Sequence, residues 1–513
     1  MTAATEPLPK DAPVASFKDP RALALSRVGV VDVGSNSVRL VVFDGAARSP
    51  AYYYNEKLMC GLGAGVRETG ILNPKGRARA LQAIKRFQCI ARSLGIEPLS
   101  AVATAAVREA TDGEDFRREV EETTGLDLRV IDGPEEARLS AQGVLLGWPG
   151  SNGLVCDIGG SSMELATISE GKIGTCLTSQ LGPLRLKGIK GGKKATSAYI
   201  KEVVSDLSDK IGSHPERLFL VGGSWRAIAR IDMLRRGYPL HVLHEYRMST
   251  KNARSTIKFI RNTPIDELQA LSGNSAARMA LVPLAAEVLS RLIKKFKPDN
   301  IAVSSYGIRE GLLYEKMPDH LRQMDPLIEA CRFSEAKDAR LVGFGDVLYD
   351  FVMPLFKSGP ERWHRIIHAA CLLHDVSWRA HPDYRAEACF DNITRANLGG
   401  LRHSERVFLG LSLLHRYKNK REGNRFENLA RLLSDSDLHA AEVLGRAMRF
   451  GAMMWLQSDD KPGKFKWHPR KKVLELHLAD SARPLFGEVA NARLQSLAQT
   501  LGAEVVIKRL KSS

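Results

Sequence analysis

The sequence predicts an α/β protein with two related lobes on mixed β-sheets, then a helical region and a small α+β segment. Three observations lead there. A strand–turn–strand pattern occurs twice, as VVDVGSNSVRLVV from Val30 and VCDIGGSSMELAT from Val155, 125 residues apart. After each copy strands alternate with helices, with hairpins between, which indicates a mixed sheet carrying helices. From about residue 317 the alternation gives way to helical patterns rich in His, Leu and Arg.

The elements follow in order. Residues 1–25, rich in Pro, Ala and Thr without an apolar core, read as a disordered leader. The first lobe takes residues 26–137. Its hairpin is followed by a Gly-rich turn to Asn73-Pro74, an N-cap and first helical position. Leu81, Ile84, Phe87, Ala91 and Leu94 then recur at helical spacing until Gly95 ends the helix. A strand at 100–104, the helix DGEDFRREVEETTG, a strand at 126–131 and a helix opened by Pro134 complete the lobe. The second lobe, 138–316, repeats the scheme: hairpin, a basic loop at 181–194, and a helix near 196–212. Strand RLFLVGG, a helix after Ser224, a long helical stretch at 274–296, strand NIAVSS and a helix near Gly307 follow. Residues 317–459 form the helical region, and 460–513 the α+β segment, with 470–513 reading strand, helix, strand.

Composition narrows the function. A chain of 513 residues is too long for one core. No apolar stretch reaches the ~20 residues of a membrane span. Seven scattered cysteines without CxxC spacing suit a reduced, cytoplasmic protein and make cysteine-ligated zinc a poor expectation. The net charge of +17, from 75 basic and 58 acidic residues, is spread over the body and favours polyanionic partners. Nucleic acid, polyphosphate and nucleotides all fit; simple solubility is the bland alternative.

The paired turns are the most specific chemical signal. Asp32 aligns with Asp157, Gly34 with Gly159, Ser37 with Ser162 and Leu40 with Leu165. One such turn is weak, since Asp and Gly serve hairpin backbones. Two in register, each led by a carboxylate, suggest backbone N–H nests gripping a phosphate chain between two lobes.

The motifs DVGSNSVRL, ATAAVREA, GPEEAR, DIGGSSMEL, VGGSWRAI and YGIREGLLYE occur in that order. Together they resemble the exopolyphosphatase/guanosine pentaphosphate phosphohydrolase (Ppx/GppA) family, strongly over residues 27–316 and more loosely beyond. The resemblance implies two actin-like (ribonuclease H-like) lobes of the sugar kinase, actin and chaperone ATPase superfamily, then an all-α HD-like domain. It implies Glu135 as the base that directs the attacking water, with a cleft raising its pKa towards neutrality. A carboxylate there also complements the helix dipole, and Glu136 beside it would do the same. Asp157 and Glu164, with Asp32 facing them, would hold Mg²⁺, which needs only one or two carboxylates beside phosphate oxygens. Arg108 would face the phosphates as a planar donor fork, with an ordinary surface arginine as the alternative. Gly34, Ser35, Asn36, Ser37, Gly159, Gly160, Ser161 and Ser162 would supply N–H and hydroxyl donors. Gly222, Gly223 and Ser224 match the superfamily's adenosine-side motif, where Trp225 replaces a small residue and its ring would restrict a base.

The resemblance therefore implies an exopolyphosphatase: Mg²⁺-dependent, processive hydrolysis of inorganic polyphosphate by a homodimer. Guanosine pentaphosphate (pppGpp) hydrolysis and phosphoryl transfer to ADP use the same residues. A polyanion- or nucleic-acid-binding protein is the non-enzymatic alternative; the KFKWHPRKK segment could serve a strand or grip a chain end. Six histidines in residues 364–415 include the His374-Asp375 pair, for which packing is a commoner role than metal binding. GLGAGVRETG lacks the βαβ setting of a dinucleotide loop.

Overall fold

The computed structural model describes residues 27–45, 48–212, 214–419, 424–454 and 462–510; the expected leader lies outside them. The chain divides into two compact units between Met324 and Asp325.

The first unit holds two sheets. One runs β3-β2-β1-β4-β5, from β1 (Val28–Val33), β2 (Ser37–Phe43), β3 (Tyr52–Met59), β4 (Ser100–Ala103) and β5 (Leu128–Val130). The other runs β10-β11-β9-β6-β7-β8, from β6 (Gly153–Ile158), β7 (Met163–Ser169), β8 (Lys172–Ser179), β9 (Arg217–Val221), β10 (Tyr246–Ser249) and β11 (Asn300–Val303). Both sheets begin with an antiparallel meander, and the meander's first strand pairs in parallel with the next strand inward, β4 or β9. Central β1 and β6 are apolar runs buried on both faces, the pattern of strands covered by helices. The outer strand β3 alternates exposed and half-buried residues, so its polar sequence gives little strand signal.

Several elements start where their caps dictate. Asn73 accepts from Gly76 N at 2.8 Å and opens Pro74–Leu94, with Gly95 at φ 62° closing it. Asp132, not Pro134, opens Gly133–Gly147: its Oδ1 accepts from Glu135 N at 2.8 Å. The basic loop at 181–194 contains a short helix, Pro183–Lys187, and the stretch at 274–296 is broken into Ala276–Met279 and Val282–Phe296.

In the second unit seven helices of seven or more residues precede one near the C-terminus, among the described residues. A small sheet orders β12 (Gly463–His468), β13 (Val473–Leu478) and β14 (Glu504–Arg509), with β13 and β14 parallel around the Glu488–Leu501 helix. KFKWHPRKK is therefore strand and turn. Phe465 is buried, its ring 4.5 Å from that of Phe351, so only part of the expected aromatic platform faces outward.

Candidate active site

The two repeated turns are built alike and meet. Gly34 N donates to Ser37 O at 3.0 Å, and Gly159 N donates to Ser162 O at 3.0 Å. Ser161 Oγ donates to Ser35 Oγ at 3.3 Å, so the turn tips touch. Asn36 is exposed, and its carbonyl accepts from Cys60 N and Gly61 N, which ties the first turn to the following loop. Gly160 packs against Leu184 and Ser35.

Carboxylates gather behind these turns. Asp157 is 9 % exposed and accepts from Ser140 Oγ. Glu164, directly across the ladder from Asp157, is 1 % exposed. Its Oε1 accepts from Thr178 Oγ1 at 3.0 Å, while its Oε2 is buried without a hydrogen-bond partner. Glu136 is 5 % exposed and lies 3.3 Å from Arg108 Nη1, which also donates to Ile131 O at 2.7 Å. Burial, then the Asp157 charge, pushes Glu136 up to about 8. Burial, then Glu136 and Asp157, holds Glu164 well above the carboxylate range. Asp157 and Asp32 are raised by burial as well, against the Ser140 hydrogen bond in the first case and Arg309 in the second. Arg309 Nη1 stands 4.0 Å from Asp32 Oδ2.

Glu135 is not in this group. It forms a two-point ion pair with Arg138, at 2.9 Å and 2.8 Å, and sits 3.5 Å from Arg129. The Arg138 hydrogen bonds hold its carboxyl below the usual range, opposite to the expected rise. Helical geometry explains the exchange. Glu136, Ser140 and Gly143 recur at i, i+4 and i+7 on the buried face, whereas Glu135 and Arg138 pair at i, i+3 on the other.

A cleft of about 300 Å³ bears Arg39, Arg226, Arg230, Arg278 and Arg309, beside Tyr52 and Asn274. Burial, then Arg309, lowers Arg39 to about 10, and the same two causes lower Arg226. Glu310 steadies the wall: it accepts from Tyr52 OH and Gly307 N, each at 2.7 Å. Gly222 and Gly223 flank this cleft. A Cβ on Gly222, at φ +113°, would lie 2.5 Å from Ile158 O and 3.2 Å from Asp157 Oδ1; one on Gly223 would meet the Arg278 guanidinium at 3.4 Å. Ser224 follows in the first turn of the Gly223–Arg235 helix. Trp225 is fully buried in the hydrophobic core of its lobe, so it puts no ring into the cleft.

The structure brings Asp157 and Glu164 behind the paired turns; the sequence offered Glu136 only as a helix-dipole carboxylate and did not single out Ser140 or the arginine wall. Arg226 and Arg309 stand inside the VGGSWRAI and YGIREGLLYE motifs.

Among the described residues no group of three or more His, Cys, Asp or Glu is arranged to hold a metal ion. Asp32, Asp157 and Glu164 therefore form no ready cage. A divalent cation that keeps waters and phosphate oxygens needs only one or two carboxylates, and the unpartnered Glu164 oxygen beside Asp157 fits that demand. His374-Asp375 does not fit a metal. Arg340 holds Asp375 through contacts of 2.6 and 2.9 Å, which places a fixed cation where a metal ion would have to bind.

The pattern of the Ppx/GppA phosphatase family matches residues 41–320, and that of the exopolyphosphatase C-terminal region matches residues 357–507. Exopolyphosphatase 1 of Mycobacterium tuberculosis is 28 % identical over 307 residues, 57 % of this chain and 88 % of the relative. Retrograde regulation protein 2 of Saccharomyces cerevisiae is 23 % identical over 547 residues, 94 % of this chain and 90 % of the relative. The crystal structure of an exopolyphosphatase from Cytophaga hutchinsonii superposes with a TM-score of 0.53 at 25 % identity, covering 57 % of this chain and 98 % of that one.

Proposed function

The chain belongs to the Ppx/GppA phosphatase family, and on that premise we propose that it is an exopolyphosphatase, a hydrolase releasing terminal orthophosphate from inorganic polyphosphate processively. One observation carries the reading: buried carboxylates with raised pKa values adjoin a cleft walled by five arginines. The acid group suits a cation and a water; the basic wall suits a repeating anion. The C-terminal exopolyphosphatase match and the mycobacterial relative support the same substrate.

We assign the base to Glu136 rather than Glu135. Glu136 is buried beside Asp157 and Glu164, and its proton affinity near neutrality suits proton transfer from water. Arg108 orients it through the 3.3 Å contact. Gly34 and Gly159 use their N–H groups to close the turns, so the N–H groups at the tips, of Ser35, Asn36, Gly160 and Ser161, hold the terminal phosphoryl, while Arg39, Arg226 and Arg309 bind the oxygens of following units. Mg²⁺ held by Asp157 and Glu164 would neutralise charge on the transferring phosphoryl group. As each phosphate leaves, the shortened chain remains among the same arginines, which favours another turnover over release.

The finer expectations belong to this reading too: actin-like lobes, an HD-like helical unit, a cytoplasmic homodimer. All seven cysteines are free, and among the described residues no helix is long and apolar enough to cross a membrane. Hydrolysis of pppGpp is the second reading, and one observation favours keeping it: buried Trp225 leaves the adenosine-side motif unobstructed.

Phosphate release from long polyphosphate and from pppGpp, measured in parallel with and without ADP, decides between them. Turnover of polyphosphate that ADP does not suppress is expected. Turnover of the nucleotide alone would overturn the reading.

A further inference from the structure

The second unit has its own concentration of positive charge, in a cleft of about 270 Å³ that the proposed reaction does not use. Arg340, Arg385, Arg416, Arg449 and Arg493 line it with Tyr417, against an apolar side of Ala452, Met453 and Val489. Asp375 is a partner to two of these five guanidinium groups. Arg340 holds that carboxylate, and Arg416 Nη2 stands 3.8 Å from it. Arg385 donates only to the carbonyls of Trp378 and Ala380, and Arg449 to Asn419 Oδ1 at 2.8 Å. Among the described residues no carboxylate pairs with Arg385, Arg449 or Arg493.

Such crowding of like charge is unfavourable. Arg416 is only 7 % exposed, and its Nε has no hydrogen-bond partner. Burial, then Arg493 and Arg416, lowers Arg449 to about 10. The guanidinium planes of Arg416 and Arg385 lie 4.7 and 5.6 Å from the Tyr417 ring centre, so two forks are fixed by the same ring. Like charges crowded along one cleft repel, and a multivalent anion relieves that repulsion for several arginines at once.

We propose that this cleft is a second anion site, built for a compact phosphate-bearing ligand of the triphosphate class. A triphosphate matches the excess of guanidinium over carboxylate. The shared chemistry is a short phosphoanhydride chain, either inorganic or attached to a nucleoside that would use the apolar side. The site is independent of the polyphosphate reading of the first unit.

The test titrates the full chain calorimetrically with inorganic tripolyphosphate in EDTA, which suppresses turnover. The wild type is expected to bind two equivalents. Arg449→Ala/Arg493→Ala removes one, weakening it at least about tenfold, and leaves the other unchanged. Arg226→Ala/Arg309→Ala does the reverse. Arg493→Glu alone, at a partly exposed position, gives the same loss should the double variant fail to fold. GTP titrated into Arg226→Ala/Arg309→Ala identifies the source: binding tighter than tripolyphosphate indicates a nucleotide, weaker binding the inorganic chain, and both uphold the site. Binding in the wild type that survives unchanged in both Arg449→Ala/Arg493→Ala and Arg493→Glu, whether one equivalent or two, overturns the proposal. Loss of activity with both equivalents intact would count against the proposed function and not against this site.

Discussion

In the first sheet Asp32 stands opposite Arg39; at the same ladder position in the second, Asp157 stands opposite Glu164. Much around these pairs matches: the meander, its parallel neighbour and the bond that closes each turn. The single exchange of charge divides the chemistry. Around Glu164 burial raises Glu136, Asp157 and Glu164, and neighbouring carboxylate charge adds to the rise in each. Around Arg39 it is positive: Lys57 lies across the next ladder position, and its pKa is lowered by burial and then by Arg278. A duplicated backbone can thus supply one half-site for a cation and another for an anion by changing one cross-strand residue.

The largest expected effect tests the acidic half. Glu136→Gln should lower kcat by about 10³ with little change in KM, while Glu135→Gln stays within about twofold in the same phosphate-release assay. The opposite ranking would return the base to the ion-paired face of the helix.

Next, the two cross-strand partners should fail differently. Glu164→Gln should raise the Mg²⁺ concentration for half-maximal activity at least about tenfold. Arg39→Gln should instead raise KM for polyphosphate about tenfold and flatten its dependence on salt, with kcat kept. Equal effects of both changes on both quantities would dissolve the division of labour.

A smaller effect appears in stability. Glu136 has a folded pKa of about 8 against an unfolded value of 4.5, so between these values the folded chain keeps a proton that the unfolded chain has lost. The group's contribution is fully present below about pH 4.5 and is lost as pH rises through about 8. Glu136→Gln removes that dependence. By calorimetry in EDTA the Tm of the variant relative to the wild type should rise steadily from below pH 4.5 to about pH 8 and level off above it. The smallest effect belongs to the shared tip: Ser161→Ala loses one 3.3 Å hydroxyl contact and should change kcat/KM by no more than about threefold.

The repeated turns and the alternation of strand and helix were legible because apolar runs and small turn residues act locally. Strand β3 was not: Tyr52–Met59 mixes aromatic, polar and charged residues on a half-exposed edge. The acidic pair in the EEAR motif misled for a related reason. Both glutamates suit a first helical turn, and only the Asp132 cap and the burial of Ser140 and Gly143 fix which one turns inward. The arginine wall draws on residues 39, 226, 230, 278 and 309, which no local spacing connects.

The Gly133–Gly147 and Ile308–Lys316 helices approach so closely that a Cβ on Gly143 would lie 2.2 Å from Gly307 O, and one on Gly311 would lie 1.9 Å from Leu139 O. One of these helices carries Glu136, the other Arg309. Mechanically they are a single jaw. Any opening of the cleft must flex elsewhere, because this contact has no slack to give. On the roles proposed for Glu136 and Arg309, the spacing between them is thereby a fixed gauge, and each advance of a polymer through it would be measured against the same ruler.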